Sequence, residues 1–121
     1  MKNVMIALGL IVALSAFHFA SNNFVWSKTI HDFGELKLNE PATAEFEFEN
    51  SSEFPIIIVS AKGSCGCTIA DYTKGEIQPG EKGSVSATYN AAKLGSFQKS
   101  VTVQPSIGEP IKLLIKGEVV E

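Results

Sequence analysis

The feature that most constrains the fold is a run of alternating apolar and polar residues at positions 43–49. The two alternating sets are Ala44, Phe46 and Phe48 on the one hand and Glu45, Glu47 and Glu49 on the other. Successive side chains of a β-strand point to opposite faces, so this pattern predicts a strand with one buried and one hydrated face. Similar alternation over 84–90, 97–104 and 111–119 predicts further strands of this kind. Only Ile56 to Val59 is continuously apolar, which is typical of a central strand covered on both faces.

Turn-forming residues separate these segments at short, regular intervals. They lie at Gly34, Asn39 to Pro41, Asn50 to Ser52, Gly63 to Gly66, Lys74 and Gly75, Pro79 to Gly83, Gly95, and Pro105 to Pro110. Short strands with turns about every ten residues indicate an all-β fold, predicted as an immunoglobulin-like antiparallel β-sandwich of about seven strands. An up-and-down barrel is the alternative. The predicted central core consists of Phe33, Phe46, Phe48, Ile57, Val85, Tyr89, Val101, Leu113 and Ile115.

The first 20 residues differ in character from the rest of the chain. Lys2 is followed by an apolar run from Val4 to Ala16, as in an export signal. Cleavage after Ala16 or Ala20 would place Leu14 or His18 at the −3 position, where a small residue is expected. Residues 1–20 are therefore interpreted as a signal peptide or an uncleaved N-terminal membrane anchor. We expect 21–27 to be a tether and 28–121 to form the sandwich. The expected location is a bacterial cell envelope, with the protein periplasmic, secreted or membrane-anchored.

Size and charge limit the possible functions. A domain of about 100 residues has room for one core and little volume for a deep active site. The net charge is −3 and all ten basic residues are Lys, so the bidentate recognition that Arg provides for phosphates and bases is missing. We therefore expect no enzyme and no nucleic-acid partner, and contact with a membrane only through an uncleaved N-terminal segment.

Cys65 and Cys67 are the only cysteines, and Gly66 lies between them. On an extended strand their Cα atoms would be roughly 6.5 Å apart, near the upper limit for a disulfide, and Gly66 allows the backbone to shorten that distance. Three interpretations are open: a small disulfide ring, a two-thiolate metal site, and a pair of small buried side chains. Two thiolates favour copper(I) or zinc, and zinc would need ligands from a second chain.

Other polar residues have simpler explanations. His31 and Asp32 are sequence neighbours that point to opposite faces of a strand, so His31 is predicted to be an edge-strand or loop residue. The three glutamates of 43–49 are explained as the hydrated face of that strand. Asn50 begins a glycosylation sequon and also suits a turn at the end of a strand.

Several short motifs together carry a family resemblance. They are His31-Asp32-Phe33-Gly34, Phe46-x-Phe48-x-Asn50, Ser64-Cys65-Gly66-Cys67-Thr68, Pro79-Gly80-Glu81 and Lys116-Gly117-Glu118-Val119. In this order and spacing the chain resembles the bacterial family DUF1573, which is related to the major sperm protein and ASPM/hydin type domains. The resemblance implies a secreted or periplasmic Ig-like sandwich. It leaves the activity open, and only Cys65 and Cys67 transfer as candidate functional residues.

Two functional hypotheses follow. The first is a non-enzymatic binding or assembly module of the cell envelope, with no cofactor and an unknown protein or cell-surface partner. The second is a thiol-based protein that binds copper or responds to redox conditions through Cys65 and Cys67.

Overall fold

A computed structural model describes residues 23–121, so the expected signal or anchor segment lies outside the described residues. The described part is all β-strand and loop. Its eight strands are β1 (Phe24–Trp26), β2 (Ile30–Lys37), β3 (Ala42–Asn50), β4 (Ile58–Gly63), β5 (Thr68–Tyr72), β6 (Lys82–Tyr89), β7 (Gly95–Pro105) and β8 (Ile111–Val120). Over residues 23–121 there is no helix long and apolar enough to cross a membrane.

The strands form two packed four-stranded sheets, which confirms the predicted sandwich. Sheet A has the strand order β1-β3-β6-β5, and sheet B has the order β2-β8-β7-β4. The prediction of purely antiparallel sheets is wrong for one pair, because β2 runs parallel to β8. Only Ser27 to Thr29 separate β1 from β2, so the chain keeps its direction while it passes from sheet A to sheet B. β1 was not predicted as a strand, which accounts for eight strands where about seven were expected.

The sandwich begins earlier than the sequence suggested. β1 lies inside the segment 21–27 that was expected to be a tether. Its aromatic side chains pack on Phe48 of β3, with ring centroids 4.1 Å away for Phe24 and 4.8 Å for Trp26. The packing of these two rings on Phe48 removes apolar surface from water. This explains why β1 joins the sheet although its neighbours in the sequence are polar.

The core contains most of the predicted residues, but Phe33 is only partly buried at its margin and Ile57 lies outside it. Phe46 and Val85 are fully buried, and Val101, Leu113 and Ile115 are almost so. Ile57 is 40% exposed, whereas its neighbours Ile56 and Ile58 are buried. The apolar run therefore alternates like the other strands. The prediction of a central strand there is also wrong, because β4 begins at Ile58 and lies at the edge of sheet B.

Candidate functional site

The two cysteines lie in the loop that carries the chain from β4 in sheet B to β5 in sheet A. The turn is closed by the amide of Thr68, which donates to the carbonyl of Cys65 at 3.3 Å. Gly63 lets the loop start close to β5, since a Cβ atom at this position would lie only 2.6 Å from the carbonyl oxygen of Thr68. The loop thus sits on the side of the sandwich where the edge strands of the two sheets approach each other.

Cys65 and Cys67 are joined by a disulfide, and their Cα atoms are 5.2 Å apart. The predicted proximity of the two side chains after β4 is confirmed, because the turn shortens the distance expected for an extended strand. The amide of Cys67 donates to Sγ of Cys65 at 3.3 Å. The hydroxyl oxygen of Thr68 is 3.8 Å from Sγ of Cys65 and 3.9 Å from Sγ of Cys67.

Both cysteines are half-buried, so each retains some exposed surface. An accessible disulfide can be opened by a thiolate, which forms a mixed disulfide with one sulfur and releases the other as a thiolate. The Cys67 amide and the Thr68 hydroxyl are donors placed to stabilise a thiolate on Cys65. The arrangement is therefore chemically able to cycle between a disulfide and a dithiol.

Ser100 is a partner of this loop that the sequence did not indicate. The amide of Ser64 donates to the carbonyl of Ser100 at 2.8 Å, and the amide of Ser100 donates to Oγ of Ser64 at 3.1 Å. These two hydrogen bonds hold the start of the cysteine loop against β7. Only the strand pairing brings Ser64 and Ser100 together, because 36 positions separate them in the sequence.

His31 lies away from the cysteine loop. It belongs to β2, at the opposite edge of sheet B from β4, which confirms its prediction as an edge-strand residue. Its Nδ1 is 2.8 Å from Nζ of Lys28, and its ring meets the edge of Phe33 at a centroid distance of 4.7 Å. Partial burial and the charge of Lys28 lower the pKa of His31, and Asp32 opposes this with a smaller effect. Among residues 23–121, no three His, Cys, Asp or Glu side chains converge as metal ligands would.

The glutamates and Asn50 have structural positions. Glu45, Glu47 and Glu49 are exposed on the outer face of sheet A, as their alternation predicted. Asn50 is fully buried. Its amide nitrogen donates to the carbonyls of Phe54 and Ile77, both at 2.8 Å, and its side-chain oxygen accepts from the amide and hydroxyl of Ser52 at 2.9 and 2.7 Å. Asn50 therefore fixes the loops around it, and its amide group is not free to carry a glycan.

The first and last family motifs meet in sheet B. Asp32 pairs with Lys116 and Glu35 with Glu118, and the register shifts between these pairs. Gly34 occupies this bulge at a φ of +71°, a conformation that glycine adopts without strain. A Cβ atom on Gly117 would lie 2.8 Å from the carbonyl oxygen of Gly34. Gly117 is thus required by the close approach of β2 to β8, and Gly34 by its positive φ.

A cleft of about 460 Å³ opens between β1 and the connection from β7 to β8. Trp26, Ile107 and Pro110 contribute apolar surface to it. The buried indole N–H of Trp26 has no hydrogen-bond partner within the described part of the chain. At the rim of the cleft, the side-chain amide nitrogen of Asn23 donates to the carbonyl of Ile107 at 3.3 Å. The cleft adds an apolar surface to the β1 edge of sheet A.

Comparison with solved structures supports the fold. A protein of unknown function from Porphyromonas gingivalis superposes with a TM-score of 0.67 at 19% identity, covering 88% of this chain and 51% of that one. This chain therefore spans about half the length of that protein. The ASH/PapD-like domain 7 of human CEP192 gives a TM-score of 0.66 at 12% identity, covering 98% of this chain and 99% of that domain.

The similarity also extends to part of an enzyme. The Vibrio cholerae VesB protease gives a TM-score of 0.64 at 15% identity, with 80% of this chain matched to 32% of the protease. At these identities the likeness concerns the fold alone. Comparison with curated protein sequences gives no match. The family described as Protein of unknown function (DUF1573) matches residues 24–119, and the chain belongs to this family.

Proposed function

We propose that this protein is a non-enzymatic binding or assembly module of the bacterial cell envelope. The observation that carries the proposal is the distribution of exposed aliphatic side chains. Each of the four edge strands has one: Val25 in β1 is 58% exposed, Ile30 in β2 52%, Val59 in β4 57% and Ile69 in β5 69%. Among the described residues, the inner strands β3, β6, β7 and β8 carry no large apolar side chain with comparable exposure.

Exposed apolar side chains at sheet edges favour contact with another macromolecule. Their exposure has no benefit for the folded monomer, whereas covering them on binding removes apolar surface from water. Edge strands also carry backbone groups that can pair with a further strand. The partner is accordingly a protein or a cell-surface polymer that contacts the sides of the sandwich.

Placement in the envelope rests on the N-terminal sequence. The charged start and apolar run of residues 1–20 support export, with the sandwich held outside the cytoplasm either free or by an uncleaved anchor. Cell fractionation of the full chain, beside a variant that lacks residues 1–20, tests this part of the proposal. We expect the full chain in the envelope fraction and the shortened variant in the cytosol.

Photo-crosslinking in living cells tests the binding role. A photoreactive amino acid is introduced singly at Val25, Val59 and Ile69, and at the control positions Ser86 and Thr102, which lie on inner strands. We expect discrete crosslinked products from at least one edge position and none from the controls. Equal products from edge and control positions, or none from any, would reject the role.

A thiol-based function is the second candidate, and the disulfide between Cys65 and Cys67 is the observation that favours it. Copper would bind only after reduction and would need ligands beyond the two sulfurs. Mass spectrometry of native protein, isolated from the envelope without reductant, reports the thiol state and any retained copper. A mixture of disulfide and dithiol forms, or stoichiometric copper, would support this candidate.

A further inference from the structure

One edge of sheet A is left incomplete where the chain crosses to sheet B. β3 has nine residues, and β1 has only three. β1 pairs with Phe48 to Asn50, and the amide of Ser27 adds one bond to the carbonyl of Glu47 at 2.9 Å. The stretch of β3 from Ala42 to Phe46 therefore has a strand partner on the β6 side only.

The hydrogen-bond register shows which backbone groups face the gap. The amide of Asn50 donates to the carbonyl of Glu81 on the β6 side. Because antiparallel pairs alternate, the even-numbered residues of β3 bond towards β6 and the odd-numbered ones face β1. The N–H and C=O groups of Thr43 and Glu45 thus point into the gap, where no described strand meets them. Both residues are exposed.

The other three edges of the sandwich are interrupted or capped. β2 and β4 each contain a register shift, a feature that blunts strand edges. At one end of β5 the amide of Thr68 is used by the cysteine loop. At its other end, the Asp71 carboxylate accepts the amide of Tyr72 at 2.9 Å, and Lys74 donates to the Tyr72 carbonyl at 3.3 Å. Between these capped ends of β5 only Ala70 still faces the outer edge, whereas the β3 gap presents two successive residues of this kind, Thr43 and Glu45.

The side chains beside the gap select the partner. Glu45, Glu47 and Glu49 form a row on the outer face of β3. A strand added at the gap would place alternate side chains directly beside this row, where opposite charges stabilise and like charges destabilise the pair. Pairing of two copies through β3 would bring two acidic rows together, so self-association at this edge is disfavoured.

We propose that the gap beside Thr43 and Glu45 binds an extended peptide segment of a partner protein by strand addition, with a basic residue beside Glu45 and within diagonal reach of Glu47. The inference deepens the proposed binding role and rests on it. Lys28 lies over the fully buried Phe46 ring at 5.9 Å, so inward side chains of the segment would meet the aliphatic stem of Lys28, against which small apolar residues such as Val can pack.

The probe for this site is a capped peptide in which Lys and Val alternate, added to the full chain in mild detergent. We expect hydrogen exchange at the amides of Thr43 and Glu45 to slow by about tenfold or more at saturating peptide, because both amides gain acceptors. The matched peptide with Glu in place of Lys should give no protection. Protection at β5 in place of β3, or none with the Lys peptide, would overturn the proposal.

Charge-reversal variants distinguish specific binding of the Lys peptide at the β3 gap from nonspecific electrostatic attraction to the protein. The variant Glu45→Lys/Glu47→Lys should bind the Lys peptide at least about tenfold more weakly and gain binding of the Glu peptide. The control Glu35→Lys/Glu118→Lys makes the same change of net charge on the outer face of sheet B and should keep wild-type affinity. Equal losses in both variants would contradict the proposal. Thermal denaturation of both variants verifies that they remain folded.

These results are independent of the crosslinking experiment. Crosslinks from Val59 or Ile69, together with an unprotected β3 gap, would preserve the binding role and reject strand addition here. If the peptide protects Thr43 and Glu45 but no crosslinked partner is found in cells, the β3 gap would be supported as a strand-binding edge. The binding role proposed for the protein in the envelope would then be rejected.

Discussion

Replacement of both cysteines by serine should cost little stability, because the ring that the disulfide closes is very small. Cys65 and Cys67 are two positions apart, and the chain-entropy relation for a loop of this size gives about 1.6 kcal/mol. The sulfurs are only half-buried, so lost packing adds little, and the total for Cys65→Ser/Cys67→Ser should not exceed about 2 kcal/mol. For a domain of this length, that corresponds to a fall in Tm of about 10 °C.

Thermal unfolding followed by circular dichroism, with and without a dithiol reductant, measures this effect. The wild-type protein with reductant should melt close to the double variant, and the variant should not respond to reductant. A loss above about 4 kcal/mol would refute the reasoning, because the loop would then contribute far more than ring closure. The same variant separates the two functions: a binding module should keep its crosslinks, whereas a thiol-based protein should lose copper binding or disulfide exchange.

Three further changes test the fold and its titrating groups. Phe46→Ala removes a fully buried ring and should cost about 3–5 kcal/mol in urea unfolding, and an unchanged midpoint would contradict the assigned strand register. Asn50→Asp places a carboxyl beside two backbone carbonyls, which should raise the pKa of that carboxyl. The resulting loss of stability should be absent below pH of about 3.9 and grow as the pH rises towards the folded-state pKa. For His31 the pKa is lowered by burial and by Lys28, so the folded state binds its proton less readily than the unfolded state. Wild-type stability should therefore fall as the pH drops below 6.5, and His31→Gln should reduce this fall in parallel unfolding curves.

Most residues of the family motifs prove to have structural roles. Gly34 supplies the positive φ of the β2 bulge, and Gly117 allows β8 to lie close to it. Asn50 holds the loops at the end of β3 with four hydrogen bonds. The cysteine loop is the motif that also carries a reactive group, the disulfide between Cys65 and Cys67. The proposed binding edge belongs to β3, the strand that carries the Phe46-x-Phe48-x-Asn50 motif. It lies outside the other motifs.

The cysteine loop shows how far the sequence reaches at the candidate site. The spacing of Cys65 and Cys67, with a glycine between them, correctly predicted that their side chains lie close together after β4. The contact of Ser64 with Ser100 was not predicted, because it depends on how β4 pairs with β7. Strand pairing is a long-range choice, and no local pattern encodes it.

The sequence by itself determined the class of fold, because alternation of apolar and polar residues is a local property of each strand. It placed Phe46 in the core and the glutamates beside it in water, as the structure has them. Continuous apolar residues at 56–59 hid the alternation there, and Ile57 was therefore wrongly predicted to lie in the core. Only the tertiary structure decided that Phe24 and Trp26 join the sandwich, that β2 runs parallel to β8, and that part of β3 is left without a partner. These features depend on where the chain crosses between sheets, and that crossing is set by the packing of distant residues against one another.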